Sequence, residues 1–321
     1  QRQMCIRDSL FSAPGTWSLL RCARCGLVWL NPRPVPEDMG KLYETYYTHA
    51  LQENAGKFAR LRRIIRNAIL GTNMDYAGLA NGFVQKVLGT VLSCVGPIRE
   101  MAEVSVMTLK GSTKGRLLDV GCANGQFLAT MRDLGWEVVG VEPDRQAAEM
   151  AREHLKLKVY KGVLEEAGFS NDSFDAITMN HVIEHVWEPI GTLRECHRVL
   201  KPAGRLVVVT PNIESLGHRL FTEAWLGIDP PRHLYVFSPR SLRACAEQAD
   251  LTVIQLGTTS RTGRGVWVAS RLIRRDGVLP GGSPQNIGLP LRLEGLAFQV
   301  AEYGLCRVKE VGEEIVLFAT K

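Results

Sequence analysis

The stretch Asn180–His185 reads NHVIEH, which holds His181, Glu184 and His185 in an H-x-x-E-H spacing. Two imidazoles and a carboxylate this close can bind a transition metal or move a proton. A fourth group with the same capabilities, His233, follows in DPPRHLYVF, a loop stiffened by paired prolines. A second set of polar residues lies in LLDVGCANGQF, where Asp119 precedes Gly121, Cys122, Ala123, Asn124 and Gly125. Small residues at alternate positions let the backbone turn sharply and approach a ligand. A third set is Cys22 and Cys25, a C-x-x-C pair with metal-knuckle spacing.

The elements around these residues decide what they can do. An apolar run at 116–120 ends at the glycine-rich turn, and 124–135 then reads as a helix. Strands at 137–142, 157–162, 173–180 and 204–210 alternate with helices at 144–155 and 188–202. A capped helix at 238–250, a strand at 251–257 and a final strand at 313–321 follow. This alternation implies βαβ units and a mostly parallel sheet, an α/β fold. His181, Glu184 and His185 therefore leave the carboxyl end of a strand, the ligand side of an open α/β sheet. A zinc-peptidase reading of H-x-x-E-H needs a substantial helix there. The strand ending near Asn180 and Pro189 just downstream remove that helix.

The turn is neither a dinucleotide G-x-G-x-x-G nor a phosphate loop, since positions 123 and 126 are Ala and Gln and no Gly-Lys-Ser/Thr follows. The second strand ends in Glu142, placed to accept hydrogen bonds from both hydroxyls of a ribose.

With the turn, the acidic strand end and the βαβ order in place, segment 114–257 resembles the class I S-adenosylmethionine-dependent methyltransferases. It is most similar to the group containing the ubiquinone-biosynthesis O-methyltransferases. The matching pieces are LLDVGCANGQFL, VVGVEPD, FDAITMNHVIEHVWEP, RVLKPAGRLVVVTPN and PPRHLYVFSPRSL. The resemblance implies a Rossmann-like seven-stranded sheet of order 3-2-1-4-5-7-6 with strand 7 antiparallel. It implies that Gly121, Cys122, Ala123, Asn124 and Gly125 approach the methionine part of S-adenosyl-L-methionine. Asp119 would orient its ammonium, Glu142 its ribose, and Val163 and Leu164 its adenine, with Asn180 and His181 flanking it. Catalytic candidates for removing an acceptor proton are His181, Glu184, His185 and His233. Some related methyltransferases bind a divalent ion through E-x-x-E-H and a later histidine. Here His181 replaces the first Glu, so His181, Glu184, His185 and His233 would suit zinc better than magnesium.

The chain of 321 residues divides, on this reading, into four parts. Residues 1–9, QRQMCIRDS, resemble a translated sequencing adapter and are set aside. Residues 10–36 form a truncated zinc-ribbon-like hairpin, with Cys22 and Cys25 as half of a zinc site. Residues 37–113 form a helical cap, and 114–321 the methyltransferase domain with a partly helical insertion at 258–312. Within the cap, 57–70 puts Phe58, Leu61, Ile65, Ala68 and Ile69 on one stripe beside Arg60, Arg63 and Arg66. Such a helix is a solvated cap face or a peripheral membrane contact.

A net charge of +6 does not by itself argue for nucleic acid, and DNA is excluded as a partner. Scattered cysteines fit a reducing, cytoplasmic setting. The expected function is O-methylation of a small molecule by a bacterial enzyme: a sugar, a quinone or lipid, or a secondary metabolite. The alternatives are an RNA-modifying methyltransferase, ranked lower for lack of an RNA motif, and an inactive cofactor-binding protein.

Overall fold

The computed structural model describes residues 2–321 apart from 12, 36, 37, 39–41, 43–56, 77, 81, 280–283, 285 and 286. Most of the expected helical segment 37–56 lies outside the described residues, as does half of the LPGGSPQNIGLP stretch in the expected insertion. The chain divides into two compact units, residues 48–178 and residues 1–47 with 179–321.

Seven strands build the larger sheet: β4 (Arg116–Val120), β5 (Glu137–Glu142), β6 (Val159–Lys161), β7 (Phe174–Asn180), β8 (Leu200–Pro211), β10 (Thr252–Thr259) and β11 (Glu314–Thr320). Their order is β10-β11-β8-β7-β4-β5-β6. Counted within the domain, that is the expected 3-2-1-4-5-7-6. Parallel pairing joins β4 to β5 and β5 to β6. β11 runs antiparallel to both β8 and β10. The apolar runs RLLDV and GRLVVVT are buried along most of their length, as strands covered on both faces must be.

In the first unit, helix α4 (Gln126–Asp133) follows β4 and α5 (Arg145–Glu153) follows β5. Asp144 caps α5 by accepting the Ala147 N–H at 2.7 Å, which satisfies one of the orphan amides at a helix start. Among the described residues, the helices α1 (Lys57–Asn73), α2 (Phe83–Ser93) and α3 (Gly96–Val104) precede the sheet. The buried Tyr76 hydroxyl donates to the Leu109 carbonyl at 2.9 Å and accepts the Trp136 indole N–H at 3.3 Å, tying this region to the sheet layer. The stripe expected on α1 is buried at its C-terminal end, at Ala68 and Ile69, while Leu61 is 53% exposed.

The second unit contains β7 from Met179, with β8, β10 and β11, and a smaller sheet of order β1-β2-β3-β9. β1 is Arg2–Ile6, β2 is Trp17–Arg21, β3 is Val28–Asn31 and β9 is Tyr235–Val236. The expected N-terminal hairpin is β2–β3, in register from Ser18–Asn31 to Arg21–Val28. Leu19, Val28 and Leu30 pack with Phe221, Trp225, Ile228 and Val236 in one apolar cluster. Helices α6 (Pro189–Val199), α7 (Leu216–Phe221), α8 (Pro239–Gln248), α9 (Gly263–Asp276) and α10 (Leu289–Leu305) complete the unit. The last two are the helical part of the expected insertion. Ser238 and Ser241 form a reciprocal capping box at the start of α8.

One buried cation pins the loop before β9. Arg232 is fully buried and donates to both oxygens of Asp229 and both oxygens of Asp8. The second carboxylate thus comes from the segment that the sequence reading set aside. Replacing one member of a buried pair strands the other charge, which costs about 3–5 kcal/mol. Arg232→Ala is expected to lose stability of this order in urea or thermal unfolding. An unchanged unfolding midpoint would show that the ion pair does not hold the loop.

Candidate functional site

In the 48–178 unit the site is the turn between β4 and α4. The Gly121 and Cys122 N–H groups both donate to the Val141 carbonyl, at 2.8 and 3.1 Å, so the turn is sewn to β5. Gly121, Ala123 and Gly125 all have left-handed φ, of 72°, 47° and 79°. Gly125 is confined on a second ground, because a Cβ there would lie 2.6 Å from Leu157 and 2.9 Å from Ala151. Ala123 holds its uncommon conformation with help from Glu142, whose Oε2 accepts the Ala123 N–H at 2.7 Å. Glu142 Oε1 accepts the Asp144 N–H at 2.9 Å. A carboxylate oxygen can accept more than one hydrogen bond, so this anchoring leaves chemical capacity for ribose hydroxyls.

Asp119 is buried and accepts the Thr178 hydroxyl proton at 2.7 Å. Burial pushes its pKa up to about 7, Thr178 pulls it back in part, and repulsion from Glu142 adds to the rise. Two neighbouring buried carboxyls of this kind favour a cation beside them. The Cys122 thiol is likewise pushed far up by burial and by Asp119 and Glu142, and so stays a neutral packing group. Asn124 accepts the Gln126 N–H through its side chain at 3.3 Å, closing the turn into α4. Of the expected adenine contacts, Val163 is 45% exposed and Leu164 is buried.

In the other unit, residues 181–188 leave β7 as turns and bends, without a helix. Glu184 is the hub. Its buried Oε1 faces His181 Nδ1 at 3.2 Å, and Oε2 accepts the Thr210 hydroxyl proton at 2.9 Å. Its backbone carbonyl accepts the N–H groups of Leu234 and Tyr235. The other ring nitrogen of His181 lies 2.7 Å from Glu314 Oε1. Both nitrogens of His181 therefore face carboxylates, which accept but do not donate, and the ring is an imidazolium. Burial alone would lower the His181 pKa, but the bonds to Glu184 and Glu314 outweigh it and raise it to about 9. The ring is 37% exposed, so water screens part of that pull. Burial would raise Glu184, but His181 outweighs it and lowers it to about 2. Glu314 is lowered to about 2 against its own burial by Arg261 and His181. Arg261 grips both oxygens of Glu314, at 2.7 and 3.0 Å, and also donates to Asn180 Oδ1 at 3.1 Å.

His185 and His233 have the opposite character. Each directs Nδ1 at a backbone carbonyl, Arg232 at 3.0 Å and Gly227 at 2.9 Å. A carbonyl only accepts, so Nδ1 carries the proton and Nε2 the lone pair. The rings meet edge to face with centroids 4.7 Å apart. Burial, then repulsion from His233, lowers His185 to about 4. Burial also lowers His233 to about 4, despite the attraction of Glu184. Ligand atoms from Glu184, His185 and His233 lie within 4.8 Å of one another. Two imidazoles and a carboxylate fit zinc or another transition metal, and the Nδ1 bonds supply the outer support such ligands need. His181 leaves the four-residue metal set read from the sequence, because both its nitrogens are engaged by carboxylates.

Cys22 and Cys25 occupy the turn of the β2–β3 hairpin, where Gly26 N–H donates to the Cys22 carbonyl at 3.0 Å. Backbone N–H groups of Cys25 and Arg24 pull the Cys22 thiol down, as they do in a metal knuckle. Among the described residues no further His, Cys, Asp or Glu joins them in a group able to hold a metal. Glu314, Arg261 and Thr210 escaped the sequence reading. Glu314 had one available signal, an acid at the head of an otherwise apolar strand. Arg261 had none.

Residues 98–256 match the methyltransferase domain family. Over these residues the chain is similar to a methyltransferase domain. It is 33% identical over 155 residues to the mitochondrial ubiquinone biosynthesis O-methyltransferase of Mus musculus, covering 43% of this chain and 41% of that protein. It is 33% identical over 124 residues to the ubiquinone biosynthesis O-methyltransferase of Alkalilimnicola ehrlichii, covering 37% of this chain and 49% of that one. The chain thus spans about half or less of the length of these relatives. A solved S-adenosylmethionine-dependent methyltransferase from Thermotoga maritima aligns over 64% of this chain and 82% of its own, with 24% identity and a TM-score of 0.43. Small residues at the turn, a buried acid at Asp119 and a carboxylate at Glu142 could hold a cation that carries ribose hydroxyls. No helix among the described residues is long and apolar enough to cross a membrane.

The charge states of the three histidines are directly measurable. In a proton NMR pH titration, His181 is expected to stay protonated well above its ordinary 6.5, and His185 and His233 to stay neutral at pH 7. The folded-state pKa of His181 is raised, so its stabilising share is complete below about 6.5 and is lost as pH climbs through about 9. Glu184 and Glu314 are lowered, so theirs is complete above about 4.5 and is lost as pH falls through about 2. All three titrating near their ordinary values would contradict the network.

Proposed function

We propose that the protein O-methylates a small hydroxylated acceptor, with a quinone-type or lipid-linked phenol favoured over a sugar or another metabolite. The observation that carries the proton chemistry is the pair of neutral imidazoles, His185 and His233, with Nδ1 bearing the proton and Nε2 the lone pair. The names of the curated relatives support the acceptor class.

S-adenosylmethionine, held at the β4–α4 turn, would supply an electrophilic methyl for the acceptor oxygen and would be left as a neutral thioether. The protein's share is binding, orientation and proton removal. In this reading Gly121, Cys122, Ala123, Asn124 and Gly125 present backbone to the methionine moiety. Glu142 holds the ribose, Asp119 favours the ammonium, and Val163 and Leu164 border the adenine. Asn180 is held by Arg261, and His181 by Glu184 and Glu314, so both act as fixed polar walls. His181 is already protonated and cannot serve as the base. His233 or His185 takes the acceptor proton on Nε2, and Glu184 stabilises the imidazolium so formed. A metal held on Glu184, His185 and His233 would occupy the same Nε2 lone pairs and would supply a Lewis acid for the acceptor oxygen in place of the histidine base. Cys22 and Cys25 serve as scaffolding, half of a zinc knuckle. Cysteines held as thiols among the described residues support a cytoplasmic setting.

The test is transfer of a labelled methyl from the cofactor to hydroquinone, catechol and sugar acceptors. His233→Ala and His185→Ala are expected to lower kcat roughly a hundredfold or more while leaving cofactor affinity unchanged. Wild-type rates in both variants would remove them from the proton step. Cofactor binding without transfer to any hydroxyl would make the chain a binding protein.

A further inference from the structure

The α1–α2 hairpin is built inside out. The buried residues of α2 are Gly89 and Ser93, both small. Its large apolar residues, Phe83, Val84, Val87, Leu88 and Val91, are exposed, Phe83 at 83% and Val84 at 76%. Gly89 sits so close to α1 that a Cβ would come within 2.3 Å of the Ala68 carbonyl oxygen. Ser93 is four residues on and returns its hydroxyl to the Gly89 carbonyl at 2.6 Å. Small residues at this spacing let helices pack closely where the surrounding medium is itself apolar. A helix facing water on its outer side shows the reverse pattern, with large apolar groups inside. On α1, Leu61 and Ile64 add to the exposed apolar surface, beside exposed Arg60, Arg62 and Arg63.

The charge is equally uneven. The chain has 39 Lys and Arg against 33 Asp and Glu, an excess of six. Residues 57–93 contain six of the cations and only Asp75 among the acids, so five of that excess lie in this one hairpin.

We propose that the α1–α2 hairpin docks the protein on an anionic lipid bilayer surface. Phe83, Val84, Leu88 and Val91 enter the acyl boundary, and Arg60, Arg62, Arg63 and Lys86 lie among the headgroups. The geometry is interfacial. The 11 residues of α2 reach only about 17 Å, roughly half of a hydrocarbon core. Charge also selects lipid over a second copy of the chain. A two-fold contact through this face would bring two strongly basic hairpins together with almost no acid to balance them. The docking claim does not depend on which acceptor is methylated.

The test is flotation of the full chain with two vesicle types, phosphatidylcholine alone and phosphatidylcholine with about a third phosphatidylglycerol. Binding is expected to the anionic vesicles, and to fall as salt is raised. Combined Phe83→Ser, Leu88→Ser and Val91→Ser should lower it about tenfold or more. Arg62→Glu with Arg63→Glu should abolish the preference for anionic lipid. These positions are exposed, so unfolding midpoints should hold, and cofactor titration checks that the domain remains intact. No flotation with anionic vesicles overturns the proposal, whether the chain stays monomeric or self-associates through this face. Binding that ignores both sets of substitutions overturns it equally.

Discussion

A carboxylate withdrawn from water must be met by donors, and this requirement shapes both halves of the candidate chemistry. Glu142 is met by the Ala123 and Asp144 amides, so the end of one strand holds the turn of another in a left-handed course that Ala123 would not choose alone. Glu184 is met by His181 and Thr210, and Glu314 by His181 and Arg261. Glu313 follows the same rule, accepting from Gly217, Ser215 and Trp225, yet burial still pushes it up to about 7. The backbone cannot vary freely at any of these places without leaving a charge unanswered.

The same requirement separates histidines that look alike in sequence. His181 lies between two acids and becomes a fixed cation. His185 and His233 face backbone carbonyls and each other, so they remain neutral. One H-x-x-E-H stretch thus contributes a structural imidazolium, its counterion and a neutral imidazole. The loop that brings His233 is fixed by Arg232, and the Arg232 carbonyl in turn orients His185. Asp119 differs from Glu142 in accepting from a hydroxyl, and burial, which Thr178 offsets only in part, raises its pKa.

Much of the fold was legible because local pattern and tertiary role agree. The apolar runs that end in small residues or acids became strands of the expected order, and Ser238 capped its helix as its spacing indicated. The partners of His181 were not legible. Glu314 lies 133 residues away on the last strand and Arg261 lies in the insertion, so no spacing rule connects them. Periodicity located the apolar stripe on α1, of which Ala68 and Ile69 are buried and Leu61 is exposed. Asp8 was set aside on the character of its sequence and is nevertheless one of the two carboxylates on Arg232.

The central claim is that the β4–α4 turn with Glu142 is a working S-adenosylmethionine site. Calorimetric titration of the wild type and of Glu142→Ala with that cofactor tests it most directly. The account expects saturable binding of one cofactor per chain by the wild type and a loss of at least about tenfold in the variant, the cost of one charged hydrogen-bond partner. No heat of binding in the wild type, or equal affinity in the variant, would contradict it.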